Sequence, residues 1–210
     1  MLAIHRSSIN LRHVQHVRKA VLLTAILAGV ALVVLGDSRW SGSNAIHEMI
    51  EWAGIAFLGV CILGRTWCSL YIGGRKVRSL VTLGPYSVSR NPLYFFSIVG
   101  AVGVGAQLGS MMLALAAGFV AWLVFYLVVL KEERVLAAKF GIRYRQYLAE
   151  VPRFLPRMSL WQDSDKVEAR PSLMLRTFFD ACVFLLSIPL AEGFEYLHEI
   201  GVLPVLVHLP

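Results

Sequence analysis

Charge is what this chain has least of. Asp, Glu, Lys and Arg make up 16% of its 210 residues, against 57% hydrophobic, and from Leu93 to Leu130 there is no charged side chain at all. An ordinary soluble domain carries roughly a quarter of its residues charged, so that class is excluded. Cysteine is also scarce. Cys61, Cys68 and Cys182 lie in apolar stretches without metal-ligand or redox spacing, which argues against a disulfide scaffold or a zinc module. His13 and His16 can share a helix face, but no acidic or thiol ligand accompanies them, and no metal site is expected. No strand pattern precedes Gly103-Val-Gly105, so it is not a dinucleotide loop. Internal repeats and low-complexity segments are absent.

What charge there is has a clear distribution. The net charge is +7 and the pI about 9.6. The basic residues fall in Arg6 to Lys19, Arg65 to Arg90, Lys131 to Arg157 and Lys166 to Arg176, with Arg39 the exception. Basic segments alternating with apolar runs follow the positive-inside pattern and assign those segments to the cytoplasm. Anionic lipid head groups are the expected partners of this charge, and nucleic acid is not.

The apolar runs set the architecture: an all-α, polytopic membrane bundle of four to five transmembrane helices. After a basic lead-in (1–19), the uncharged run Ala20 to Leu35 is about 24 Å long as a helix and is read as a retained span rather than a cleaved signal peptide. A second span runs from about Ala45 to Leu63, its helix continuing toward Ile72, with His47, Glu48 and Glu51 near the outer end and assigned to structural pairing. Gly73-Gly74 and Arg75-Lys76-Val-Arg78 form a basic loop. Leu93 to Gly109 and Met111 to Leu130 form a helical hairpin, in which Ala101, Gly105 and Gly109 recur every four residues and allow close approach. Ser159 to Arg170 reads as a polar linker. Leu173 to Leu190 is either a fifth span or a helix lying in the membrane surface, and the tail to Pro210 has no assigned place. The chain thus divides into N-terminal membrane helices (1–72), a core (73–158), and a linker with a hydrophobic extension (159–210).

The hairpin returns two polar clusters to one membrane face. Asn91-Pro92 has the form of a helix start, with Asn as the cap and Pro in the first turn. Exposed amides and the positive dipole end favour a carboxylate or phosphate there, and Arg90 adds a bidentate cation. Glu132 and Glu133 sit across the hairpin, where a carboxylate suits an ammonium group. Cation and helix start on one side, carboxylates on the other, match a zwitterionic amino-acid group, with Tyr86 and Tyr94 flanking a flat base. The same residues also suit an ordinary interfacial ion pair closing the hairpin.

Four ordered blocks carry a family pattern: Leu80-Val-Thr-x-Gly-Pro-Tyr86, Arg90-Asn-Pro-x-Tyr94, Glu132-Glu133-x-x-Leu136, and Phe140-Gly141-x-x-Tyr144-x-x-Tyr147 with Val151-Pro152-Arg153. Residues 78–157 resemble the membrane methyltransferase superfamily of isoprenylcysteine carboxyl methyltransferases and phospholipid N-methyltransferases, over somewhat more than a third of the chain. The resemblance implies a helical membrane enzyme that uses S-adenosyl-L-methionine at its cytoplasmic side. It implies cofactor contacts from Arg78, Ser79, Leu80, Val81, Tyr86, Asn91, Pro92, Leu93, Tyr94 and Glu132. Arg90 and Glu133 are the catalytic candidates, Glu133 as acceptor of a proton from an amine or hydroxyl nucleophile. Eukaryotic isoprenylcysteine enzymes have His where this chain has Asn91, as bacterial-type relatives do not. They also place a substrate-contacting Arg where this chain has Val128, which disfavours a prenylcysteine carboxylate. The expected acceptor is therefore lipid-borne or hydrophobic, and the expected location a multi-pass bacterial inner membrane. A nicotinamide-dependent reductase of the sterol-reductase type and a non-catalytic protein of the same fold are the alternatives. Tyr144 and Tyr147 are assigned to packing.

Overall fold

The computed structural model describes residues 36–38, 44–73, 79–165, 167, 169–202 and 207–209. The expected first span (20–35), the basic lead-in and the loop containing Arg78 lie outside the described residues.

The long apolar run after residue 44 forms one uninterrupted helix, α1 (Asn44–Ile72), which ends where Gly73 donates its amide to the Ser69 carbonyl at 2.9 Å. A single turn, α2 (Pro85–Val88), leads into α3 (Pro92–Ala106). The hairpin turn at Gly109, with φ of 60°, returns the chain as α4 (Met111–Phe140), and Ser110 caps it by accepting the Leu113 amide at 3.3 Å. Gly141, with φ of 58°, breaks α4 from α5 (Ile142–Glu150). After a 3-10 turn at Met158–Leu160, α6 (Pro171–Cys182) passes through a second 3-10 turn (Val183–Leu186) into α7 (Ser187–Glu199).

The described architecture is helical apart from one pair of three-residue strands. Strand β1 (Gly36–Ser38) pairs in parallel with β2 (Val207–Leu209), Gly36 opposite Val207. That pairing gives the C-terminal tail the place that composition alone did not reveal.

Three helical stretches, Ala45–Ile72, Met111–Phe140 and Pro171–His198, are long and apolar enough to cross a membrane, and α3 adds a shorter apolar helix. Their outward faces agree. Trp52, Leu63, Leu115, Phe119, Leu127, Phe179 and Leu190 are exposed, a cost in water that becomes a gain against lipid. Residues 173–190 fall inside the third of these stretches.

α3 is the central element, packed between α1 and α4, while α6 lies against α1. The glycine pattern allows this, though differently from the expected stripe. Gly105 does face α4, where an added Cβ would sit 2.8 Å from the Ala114 Cα. Gly109 instead accommodates the His47 ring of α1. The α1–α3 crossing relies on glycines outside the stripe. A Cβ on Gly103 would lie 2.9 Å from the Gly54 carbonyl oxygen and 3.0 Å from Leu58. Period-four reading found one helix contact because it assumed a single partner, whereas α3 has two.

Replacing Gly103 by Val is expected to destabilise the bundle by about 1–3 kcal/mol through backbone overlap with α1. Gly193→Ala, with nothing within 4 Å of its new Cβ, should be neutral or mildly stabilising. Thermal melts of the two variants in detergent check the contrast.

Candidate active site

The segment before α3 is held by the segment after α5. Arg90 donates its amide to the Pro152 carbonyl at 2.9 Å, and the Arg157 amide reaches the Val88 carbonyl at 2.9 Å. Ser89 Oγ donates to the Phe154 carbonyl at 2.9 Å. The Gly84 amide donates to the Gln162 carbonyl at 2.7 Å, and the Gln162 amide to Ser87 Oγ at 3.0 Å. Residues 84–91 and 152–162 therefore zip together, which satisfies buried polar groups that neither segment satisfies alone.

Asn91 occupies the N-cap position of α3 but does not cap it. Its Nδ2 donates to the Arg153 carbonyl at 3.1 Å, so the side chain joins the zipper and leaves the first turn of α3 uncapped. This corrects the expected role of Asn91 as a side-chain cap. Pro92 is at the first position, as expected, and is buried.

α4 continues ten residues past the expected exit at Leu130, to Phe140. Glu132 and Glu133 are thus consecutive helical residues, about 100° apart around the axis, and reach different partners. Glu132 Oε1 accepts from the Tyr94 hydroxyl at 3.0 Å, and the Tyr94 ring stacks on Phe125 with centroids 4.8 Å apart. Glu133 is buried and bridges two arginines. Its Oε1 lies 3.3 Å from Arg90 Nη1, and Arg153 holds it in a fork, Nε to Oε1 at 3.2 Å and Nη2 to Oε2 at 2.9 Å. The Arg153 guanidinium also lies over the Tyr126 ring, 5.3 Å from its centroid. The Glu133 carboxylate keeps Arg153 protonated even beyond the ordinary guanidinium range.

The remaining expected contacts fall into two apolar groups. Val81 and Leu93 pack with Cys68, Tyr71 and Tyr86. Leu80 packs instead with Tyr144, Tyr147 and Val151. Ser79 is exposed, and Arg78 lies outside the described residues. On α5, Tyr144 and Tyr147 share one face and are both buried, and Tyr147 donates its hydroxyl to the Tyr86 carbonyl at 2.6 Å. Burial pushes the Tyr144 phenol up to about 12, with the Glu133 charge adding to it, and burial also raises the phenols of Tyr86 and Tyr147. None of the three is a base at neutral pH.

The structure brings together Tyr86, Arg90, Asn91, Tyr94, Glu132 and Glu133 at one end of the hairpin. Two buried atoms there have no protein partner: Arg90 Nε and the Tyr86 hydroxyl. Sequence reading assigned no role to Arg153 or to Asp163, which accepts the Tyr71 hydroxyl at 3.0 Å. The Val151-Pro152-Arg153 block marked Arg153 as part of a pattern, but its carboxylate partner lies 20 residues away. Nothing local pointed to Asp163.

Tyr147→Phe, which leaves the Tyr86 carbonyl without its donor, is expected to cost about 1–3 kcal/mol. Tyr144→Phe should cost well under 1 kcal/mol because only packing is involved. Denaturation of the two purified variants measures the difference.

The phospholipid methyltransferase family model matches residues 62–143. The chain is 33% identical over 189 residues to the cobalt-zinc-cadmium resistance protein CzcN of Cupriavidus metallidurans, covering 90% of this chain and 85% of that one. It is 32% identical over 197 residues to the nickel-cobalt-cadmium resistance protein NccN of Alcaligenes xylosoxydans xylosoxydans, covering 92% and 91%. It is 35% identical over 81 residues to the protein-S-isoprenylcysteine O-methyltransferase of Schizosaccharomyces pombe, covering 39% of this chain and 34% of the yeast protein. No solved structure matches. With these blocks converging on one end of a membrane hairpin, the chain belongs to the isoprenylcysteine and phospholipid methyltransferase superfamily, as an integral membrane protein that shares nearly its whole length with the two metal-resistance proteins.

Proposed function

We propose that the protein is an S-adenosyl-L-methionine-dependent methyltransferase acting on a lipid-borne or hydrophobic acceptor, its site facing the cytoplasm. The observation that carries this reading is the juxtaposition, inside the family-matched segment, of an uncapped helix start, the Arg90–Glu133 pair and the Tyr94–Glu132 pair. The family match and the yeast relative favour a transferase over the reductase alternative. The names of the two long relatives state a resistance and no reaction, so they leave the acceptor open.

The residues fit the cofactor. Its carboxylate suits the start of α3, where the Asn91 side chain makes no cap hydrogen bond and the positive end of the helix dipole lies beside Arg90. Arg90 Nε is a buried donor without a protein partner. Glu132, tethered by Tyr94, suits the ammonium group. Tyr86 offers a buried hydroxyl beside an apolar wall of Val81 and Leu93. When bound, S-adenosyl-L-methionine supplies a methyl group activated by the sulfonium.

The chain's own contribution is then positioning and exclusion of water. In-line alignment of nucleophile and methyl provides most of what a displacement of this kind needs. Two guanidinium groups engage both oxygens of Glu133 and occupy lone pairs that a proton would need. We therefore assign Glu133 chiefly to fixing Arg90, and a proton acceptor role becomes secondary. Lipid-facing apolar surfaces of α1 and α4 let an acceptor approach from within the bilayer. The absence of an arginine at Val128, which packs against Tyr94 and Val129, fits an acceptor other than a prenylcysteine carboxylate.

Calorimetry with S-adenosylhomocysteine tests the site. Arg90→Ala and Glu132→Gln should each weaken binding by roughly 10-fold or more, the loss of one charge-assisted hydrogen bond. Unchanged affinity in both variants would reject the assigned residues. Wild-type protein that neither binds the ligand nor labels a total lipid extract from methyl-labelled cofactor would reject the function itself.

A further inference from the structure

The seam between α1 and α3 holds a cation that the candidate active site does not use. From Trp52 to Ile72 the sequence has one charged residue, Arg65. Its Nη1 donates to Ser97 Oγ on α3, while Ser97 Oγ gives its own proton to the Leu93 carbonyl at 2.8 Å. Ser97 is buried, so the guanidinium is turned into the seam. Long cationic side chains near the end of a membrane helix ordinarily reach outward to the aqueous interface. This one is aimed the other way.

The seam is packed on either side of it. Deeper in, α1 and α3 meet where a Cβ on Gly100 would sit 2.5 Å from Cys61 Sγ. Nearer the end, Leu93 and Phe96 lie against Cys68, Tyr71 and Tyr86. Ser97 is about 7–8 Å along the helix axis from Pro92, on the side of the bundle where Arg90 and the Tyr94–Glu132 pair also lie.

Arg65 has both charge and donors to spare. A guanidinium is a permanent cation with five N–H donors. Among the described residues no carboxylate pairs with it, and its Nε is buried without a hydrogen-bond partner. The charged residues of α6, which packs on α1, are Arg176 and Asp180, both exposed. A serine hydroxyl satisfies one donor and no charge. An uncompensated cation among apolar helices is unfavourable, and an oxyanion in the seam would relieve it through charge-assisted hydrogen bonds.

We propose that Arg65, oriented by Ser97, binds an anionic oxygen of a lipid, phosphate or carboxylate, and that this lipid is the methyl acceptor. The second half rests on the function proposed above, whereas the anion site does not. Arg65 lies inside Ala45–Ile72, a stretch long and apolar enough to cross a membrane, and an anion reaching such a place is carried there by an apolar body. Between Leu93 and Leu130 there is no charge, so α1 supplies the cation that α3 and the adjoining part of α4 lack.

The test titrates the full chain, in a neutral maltoside detergent, with oleoyl lysophosphatidic acid, with oleate and with uncharged monooleoylglycerol. Tryptophan fluorescence reports binding, Trp67 being two residues from Arg65. The unmodified chain is expected to prefer one anionic lipid over the neutral one at least tenfold, and the preferred arm identifies phosphate or carboxylate. Arg65→Gln should abolish the preference, Arg65→Lys should retain part of it, and Asp180→Asn should leave it unaltered. Absence of any preference in the unmodified chain overturns the proposal, as does a preference that survives Arg65→Gln, even if that variant melts lower. Should Arg65→Gln not fold, Ser97→Ala takes its place, and an unchanged preference there is equally fatal. Methyl labelling of a total lipid extract should fall at least tenfold in Arg65→Gln with S-adenosylhomocysteine affinity as in the unmodified chain. Unchanged labelling overturns the acceptor assignment. Anion preference in a chain that does not bind S-adenosylhomocysteine would keep the anion site and remove the methyltransferase reading.

Discussion

The Glu133 carboxylate is the point on which the active end of this molecule depends. It receives Arg90 from the entry to α3 and Arg153 from the segment after α5, so one side chain of α4 ties together three parts of the chain. Buried carboxylates are tolerated when their lone pairs are filled, and Glu133 has both oxygens engaged by guanidinium groups. Removing it would leave two cations facing each other across an apolar hairpin. Arg90, the cation at the start of α3, is held in place by this contact. The Tyr94–Glu132 bond plays the parallel part on the next face of α4.

Much of this was legible in the sequence because membranes simplify the problem. A chain with no charge from Leu93 to Leu130 and a Gly-Ser break in the middle has few alternatives to a hairpin. Asn91-Pro92 marked the start of α3 to the residue, and Met111 the start of α4. The end of α4 was not legible at Leu130, because Lys131, Glu132 and Glu133 look like an exit from the bilayer while being good helix formers. Only Gly141, which tolerates positive φ, stops the helix. The Asn91 side chain was misread because local capping rules do not foresee a competing carbonyl 62 residues away. The zipper between residues 84–91 and 152–162 is likewise a long-range product of unsatisfied backbone groups, and composition carries no trace of it.

The two ends of the bundle are chemically unlike. One is basic and carries the paired arginines, buried tyrosines and the helix start. The other gathers glutamates and His47 around the hairpin turn, with β1 and β2 paired nearby in sequence. Both are held by α3, whose glycines let α1 and α4 approach on opposite sides.

The length of α3 has its own consequence. Fifteen residues rise about 22 Å, against a hydrocarbon core of about 30 Å, while α4 beside it is 30 residues long. Such a mismatch draws the head-group boundary inward along the short element. A short span of this kind is accommodated by thinning of the bilayer around it, which would bring lipid head groups nearer to the Asn91 end of α3.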